Sequence, residues 1–321
     1  ITCVRFSPFG LEKQAFSSHS FNMRRGYLFL LLGCLLSLNV HAQLLQVKMV
    51  TDRNNFLPNQ AVVVKLVVRN VSGQKVMLAD GEDWVQFSAH DGRGIPVLRN
   101  GNPPRGKSIL VDNGKSHVWT YQMAPIFDFS KPGVFTIHAR IKIRQFNNHI
   151  LDVRPLKFQV VTGVKIAEMR RGVAPRQVGQ PPDLRTYTLR STRVHGRSHL
   201  FLRVEGTRGN EMRIYNVLDL GRKVPFGKPQ MEMDPQGITH VFFQFYAKNF
   251  RYYQVGPEGQ MLVRQTYFFQ QYPPALVRDD EGRVGITGAH REMMKDDFPK
   301  ALDRKRPSSE GRVPPELLLK K

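Results

Sequence analysis

Apolar and polar positions alternate along residues 45–161, and Gly, Pro, Asn or Asp interrupts the alternation every few residues. A period of two broken by such turn residues predicts short antiparallel strands rather than helices. The clearest strand covers residues 134–144. Phe135, Ile137, Ala139, Ile141 and Ile143 share one face, and Thr136, His138, Arg140, Lys142 and Arg144 the other, so one face is buried and the other wet. Residues 61–70 are apolar on both sides, with Val62, Val64, Leu66 and Val68 opposed to Val63 and Val67. That is the pattern of a central strand, and Val71-Ser72-Gly73 then turns the chain.

Residues 23–42 break this pattern. Arg24 and Arg25 precede an apolar run of 14 residues, 27–40, and Val40-His41-Ala42 supplies small residues before Gln43. A bilayer-spanning helix needs about 20 residues, so the expectation is a signal peptide cleaved after Ala42, with no membrane span left afterwards. The expected location is secreted or periplasmic. Residues 1–22 lack periodicity and are read as an upstream extension. Both cysteines, Cys3 and Cys34, precede Gln43, so the exported part is expected to fold without a disulfide. Leu31-Leu32-Gly33-Cys34 supports an alternative, lipid anchoring at Cys34 or retention of the segment as an N-terminal membrane anchor.

The formal charge is +22; without Arg5, Lys13, Arg24, Arg25 and Glu12 it falls by three to +19. After export, such a charge matches membrane or wall surfaces, acidic polysaccharides or released DNA. It is spread along the chain, so a merely solubilising role is the competing reading.

Residues 43–321 are long enough for two domains. The expected organisation is a β-sandwich over 43–162, a linker over 163–183, β repeats over 184–292 and a disordered charged tail over 293–321. The linker reading rests on Arg170-Arg171, Pro175, Pro181-Pro182 and little periodicity; the tail reading rests on Pro299, Pro307, Pro314 and Pro315. The repeat rests on three ordered matches. Gly196-x-x-His199-Leu200-Phe201-Leu202 parallels Gly237-x-x-His240-Val241-Phe242-Phe243; Arg213-Ile214-Tyr215-Asn216-Val217 parallels Arg251-Tyr252-Tyr253-Gln254-Val255; and Asp234-x-x-Gly237 recurs as Asp279-x-x-Gly282. A unit of about 40 residues built from short strands is the size of a propeller blade.

Two resemblances follow. Residues 52–73, 84–94 and 130–143, with Pro58, the Asn70–Gly73 turn, Trp84 in a middle strand and Pro132-Gly133, resemble the immunoglobulin-like or macroglobulin-like sandwich modules of bacterial exported proteins, without their disulfide. The repeats resemble blades of sialidase-like exported β-propellers. They depart from these in the order Asp234-Pro235-Gln236-Gly237 and in having no tryptophan to close the turn. Residues 184–292 hold about two and a half such units, too few for a ring of about four blades, so the resemblance implies a short stack of sheets or self-association through the repeat region.

No constellation names a reaction. His195, His199 and His240 lack the helical spacing of zinc ligands, and no metal or cofactor is expected. The carboxylates Glu232, Asp234, Asp279, Asp280, Glu281, Asp296 and Asp297 read as turn residues. Phe242, Gln244, Arg251, Tyr253 and Arg264 mix aromatic, polar and cationic groups and are the candidate binding residues. Gly196, His199, Asp234, Gly237, His240, Asp279 and Gly282 are the structural repeat positions, with the histidines filling one niche in each unit. The expectation is an exported all-β, non-catalytic binding or structural protein of the bacterial envelope. Its partner would be a polyanion, a carbohydrate or an envelope protein. The alternative is an envelope-associated glycoside hydrolase of sialidase-like type.

Overall fold

A computed structural model describes residues 44–173, 182–208, 211–269 and 273–299. The signal segment with Cys34 and the Ala42 cleavage site, residues 174–181 of the expected linker and residues 300–321 of the expected tail lie outside the described residues. Residues Leu45–Lys321 form one unit. Among the described residues no helix is long and apolar enough to cross a membrane.

The first half holds β1 (Leu45–Thr51), β2 (Asn55–Phe56), β3 (Val63–Asn70), β4 (Val76–Leu78), β5 (Val85–Asp91), β6 (Ile109–Val111), β7 (Ser116–Gln122), β8 (Gly133–Ile143) and β9 (His149–Val160). Two of its sheets have the orders β1-β3-β7 and β2-β9-β8-β5, and β4 pairs with β6. The alternation read in the sequence is the alternation observed. Val64, Leu66 and Val68 of β3 and Phe135, Ile137, Ala139, Ile141 and Ile143 of β8 are all buried. The sheets meet through Phe87 of β5 and Tyr121 of β7, with ring centres 5.0 Å apart, and through Trp84 and Trp119 at 4.7 Å. Trp84 is buried against Trp119 but precedes β5 instead of lying in a strand. Asn70 closes its turn from inside, its amide donating to Gln74 O at 2.6 Å and Val111 O at 2.8 Å.

The second half holds β10 (Val164–Val173), β11 (Asp183–Val194), β12 (Arg197–Arg208), β13 (Glu211–Arg222), β14 (Gln230–Met233), β15 (Thr239–Gln244), β16 (Asn249–Val255), β17 (Met261–Phe269), β18 (Ala275–Arg278), β19 (Val284–Thr287) and β20 (Ala289–Glu292). Strands β10 to β13 form one antiparallel meander, β14 to β17 with β20 another, and β18 pairs with β19. The two meanders share a core. Tyr187, Leu189, Leu200, Leu202 and Val204 from the first pack with Val241, Phe243, Tyr253 and Val255 from the second. The opposite face of the first meander, through Val194, Phe201 and Val217, closes on Leu57 from the N-terminal half. Alternation along β12 therefore feeds two cores, Leu200 and Leu202 into one and Phe201 into the other.

Two boundaries are corrected. Residues 164–173, expected as linker, are strand β10, paired along β11. The apolar Val164 and Ile166, around the register shift between Lys165 and Ala167, are exposed, while the charged Arg171 lies on the half-buried face with Ala167, Met169 and Val173, and this hides the period of two. The junction itself is tight. Gly163 sits at φ +66°, and a Cβ there would lie 3.0 Å from Ser191 O and 3.1 Å from Leu57 Cδ2, which only glycine accommodates. In the expected tail, residues 294–298 lie on the second meander. Thr266 Oγ1 donates to Asp297 at 3.1 Å, and Arg264 and Phe298 exchange backbone bonds of 2.8 and 2.9 Å.

Candidate functional site

The wet face of β8 is the floor of a groove of about 1040 Å3. Cross-strand pairing sets the floor: Gln86 lies opposite Arg140, Ser88 opposite His138 and His90 opposite Thr136, while Arg140 lies opposite Asp152 of β9. Arg99, Asn102, Pro103 and Arg105, from the connection between β5 and β6, form the other wall. That connection is fastened along its length. Val97 N donates to Ala89 O at 2.9 Å, Asp128 N to Leu98 O at 3.0 Å and Asn100 N to Ile126 O at 2.8 Å. Arg99 is spent within it, on Gly101 O at 3.0 Å and Asn102 Oδ1 at 2.8 Å.

Each carboxylate of the groove is already paired. Asp152 takes Arg140 Nε at 2.9 Å, and Glu82 takes Arg105. Asp83 takes Lys142 at 2.7 Å and Arg144 at 3.0 Å; hydrogen bonds from those two bases hold its carboxyl down to about 2. Among the described residues, Gln86, Ser88, His90 and His138 are left. His90 and His138 meet edge to face, with ring centres 5.1 Å apart, and His90 Nδ1 is buried without a hydrogen-bond partner among the described residues. The sheet thus presents a row of uncommitted polar side chains beside a wall whose arginines Arg99 and Arg105 are already engaged. The sequence signal for it was the polar face of residues 134–144; nothing in the sequence showed that the connection after β5 would fold over that face.

The candidate binding residues do not converge. In β15 and β16, Val241 faces Tyr253 and Phe243 faces Arg251, and Tyr253 faces Arg264 of β17. Arg251, Tyr253 and Arg264 therefore lie on the face turned to the first meander, and Phe242 and Gln244 on the other. Phe242 and Tyr253 are both buried. The Tyr253 ring stacks on Phe243 with centres 6.1 Å apart, and its hydroxyl donates to Leu220 O at 2.6 Å, so burial pushes that hydroxyl up to about 12. Arg251 is bound to Asp296 at 2.6 Å, and Gln244 donates to Ala247 O at 2.6 Å.

The repeat positions form turns of two kinds. Asp234 N donates to Ile238 O at 3.1 Å and Gly237 N to Asp234 O at 3.0 Å; Asp279 and Gly282 repeat this with 3.1 and 2.9 Å. The same turn occurs at Asp91 and Gly94, with 2.8 and 2.9 Å. Asp-x-x-Gly is therefore hairpin chemistry that also serves the first half, an aspartate capping a turn whose glycine takes positive φ. Gly196 is not equivalent: it follows His195 in a two-residue loop joining Val194 to Arg197. The histidine niches differ as well. His240 is buried between Tyr252 Oη at 2.6 Å and Asp234 Oδ2 at 3.1 Å. His199 lies 3.6 Å from Asp219 on the neighbouring strand.

The turns at Asp234 and Asp279 adjoin, since a Cβ on Gly282 would meet Pro235 Cγ at 3.0 Å. Arginines gather there, but on committed partners: Arg171 on Asp234 O and Pro235 O, Arg278 on Glu232 and Met233 O, and Arg283 on Asp279. Asp234 accepts from Ile238 N as well as contacting His240, and Asp279 accepts from Arg283 N and Nε. Among the described residues no group of three or more His, Cys, Asp and Glu side chains could hold a metal ion. No family model and no curated protein matches the chain.

Proposed function

We propose that the chain is an exported, non-catalytic binding protein whose site is the groove over β5 and β8. The observation that carries this reading is the row Gln86, Ser88, His90 and His138, without side-chain hydrogen bonds among the described residues, on the sheet floor while the neighbouring carboxylates are neutralised. Such a surface suits a polar chain molecule, and the excess of basic groups over the whole sequence favours an acidic one. The ligand class is acidic polysaccharide or a related envelope polymer. Secretion to the periplasm or beyond, after cleavage at Ala42, is part of the same reading. So are an immunoglobulin-like N-terminal half and blade-like meanders in the second. The hydrolase alternative has less support: a general acid or base must be free to exchange a proton with substrate, and Asp234 and Asp279 are engaged in holding turns.

The test is calorimetric titration of the form beginning at Gln43 with polygalacturonate across a salt series. Binding should weaken steeply with salt, as counterions compete. Ser88→Trp, which fills the groove at an exposed position, should abolish it and leave the melting curve unchanged. Wild-type affinity in Ser88→Trp would refute the site.

A further inference from the structure

At one end of the second meander the connection after β13 carries Phe226, which is 99% exposed. A phenylalanine so placed contributes nothing to its own core, yet the loop that carries it is firmly built. Lys223 is buried, and its ammonium donates to the carbonyl oxygens of Val224 at 2.9 Å, Pro225 at 3.2 Å and Gly227 at 3.5 Å. Carbonyls on both sides of Phe226 turn inward onto one cation, and the side chain between them is driven outward. Val224 N further ties the loop to Gln244 O at 3.0 Å.

That bond sets the loop beside the turn after β15, whose tip is the exposed Tyr246. Arg222 lies over the Tyr246 ring, 5.0 Å from its centre. Lys228 and Lys248 are exposed on the two loops. Phe269, itself exposed, donates its N–H to Lys248 O at 2.9 Å. Aromatic tips thus project from a ring of cations with no acidic residue in residues 222–229 or 244–249.

We infer that this end docks on an anionic lipid bilayer, with Phe226 and Tyr246 entering the interfacial layer and Arg222, Lys228 and Lys248 meeting the headgroups. The charge pattern decides against a protein pocket or a bare polyanion. A polyanion would use the lysines but leave Phe226 in water, whereas a bilayer surface takes up aromatic rings and cations together at adjacent depths. The inference does not depend on the groove.

The experiment is sedimentation of the form beginning at Gln43, which contains the whole unit Leu45–Lys321, with vesicles of phosphatidylcholine mixed with phosphatidylglycerol. Wild type should bind these and hardly bind pure phosphatidylcholine. Phe226→Ala should lose about tenfold or more in affinity, the scale of burying one aromatic side chain. Lys228→Glu with Lys248→Glu should lose at least as much. Both variants should melt as wild type does, and Ser88→Trp should bind vesicles normally. Full vesicle affinity in Phe226→Ala overturns the proposal, as does equal weakening of polygalacturonate binding by that variant, which would make the occupant a polymer.

Discussion

Arg53, in the connection after β1, donates through Nη1 to Asp219 Oδ2 on β13 at 2.6 Å, a bond between residues 166 apart in sequence. It fastens the N-terminal half to the first meander beside the contact of Leu57 with Phe201. Burial alone would raise the Asp219 carboxyl, but His199 and Arg53 outweigh it and hold the group below its ordinary 3.8.

Asp219→Asn is accordingly expected to cost about 1–3 kcal/mol, the worth of a part-buried charged hydrogen bond. The pH dependence has a definite sign. A carboxyl depressed on folding stabilises fully above its unfolded value and loses that contribution as pH falls through its lower folded value. Denaturant titrations should show the wild type losing stability below pH 3.8 and Asp219→Asn losing less over the same window. Equal acid sensitivity would remove Asp219 from the account.

The niche of His240 predicts a difference between two histidines aligned in the sequence. The Asp234 carboxylate can only accept, so His240 Nε2–H donates to it at 3.1 Å, and Nδ1 meets Tyr252 Oη at 2.6 Å. His240→Ala removes two hydrogen bonds from a buried site and should cost about 2–3 kcal/mol. His199→Ala breaks one longer contact and should cost about 1 kcal/mol or less. Urea melts in the reverse order would show that the niches are misjudged.

Gly94 isolates backbone strain. It sits at φ +82° with nothing within 4 Å of a built Cβ, so Gly94→Ala should cost about 1 kcal/mol from the left-handed conformation alone. Gly282→Ala, at φ +79° with Pro235 Cγ 3.0 Å away, should cost more. Equal melting temperatures for the two variants would discount that contact.

These positions also show what was legible in advance. Strands β3 and β8 could be read because strict alternation and burial coincide along them. β10 could not, because its apolar Val164 and Ile166 are exposed while the charged Arg171 sits on the half-buried face. The Asp-x-x-Gly recurrence was visible, but turn chemistry is local, and its third occurrence at Asp91 marks it as a hairpin device and not the signature of a unit. The candidate binding residues spread over two faces for the opposite reason. Aromatic density told nothing of register, and Phe242 and Tyr253 part to opposite faces because Val241 is the residue that faces Tyr253. The groove needed one further fact, a loop without periodicity folding over a wet strand face, and hydrophobic patterning carries no record of that.

Arg185 and Asp183 are both buried and joined at 2.8 Å. Tyr215 donates to the same carboxylate at 2.5 Å, the Arg185 guanidinium lies 3.6 Å from the centre of the Tyr215 ring, and Arg185 also donates to Pro257 O. The pair links β11 to the turn between β16 and β17, so it joins the two meanders at their edge. Burying two charges is costly, and the pair need not add much stability over an apolar replacement. Removing one partner is different, because the other charge is left in a poorly solvated site. Arg185→Met should therefore cost about 3–5 kcal/mol. Tyr215→Phe, which deletes one hydrogen bond to a carboxylate still held by arginine, should cost about 1–2 kcal/mol. Denaturant melts of the two single variants and the double variant decide the matter. If the Tyr215 hydroxyl and Arg185 support one another through the shared Asp183 carboxylate, the double variant should differ from the sum of the singles; strict additivity would show that Tyr215 and Arg185 act independently.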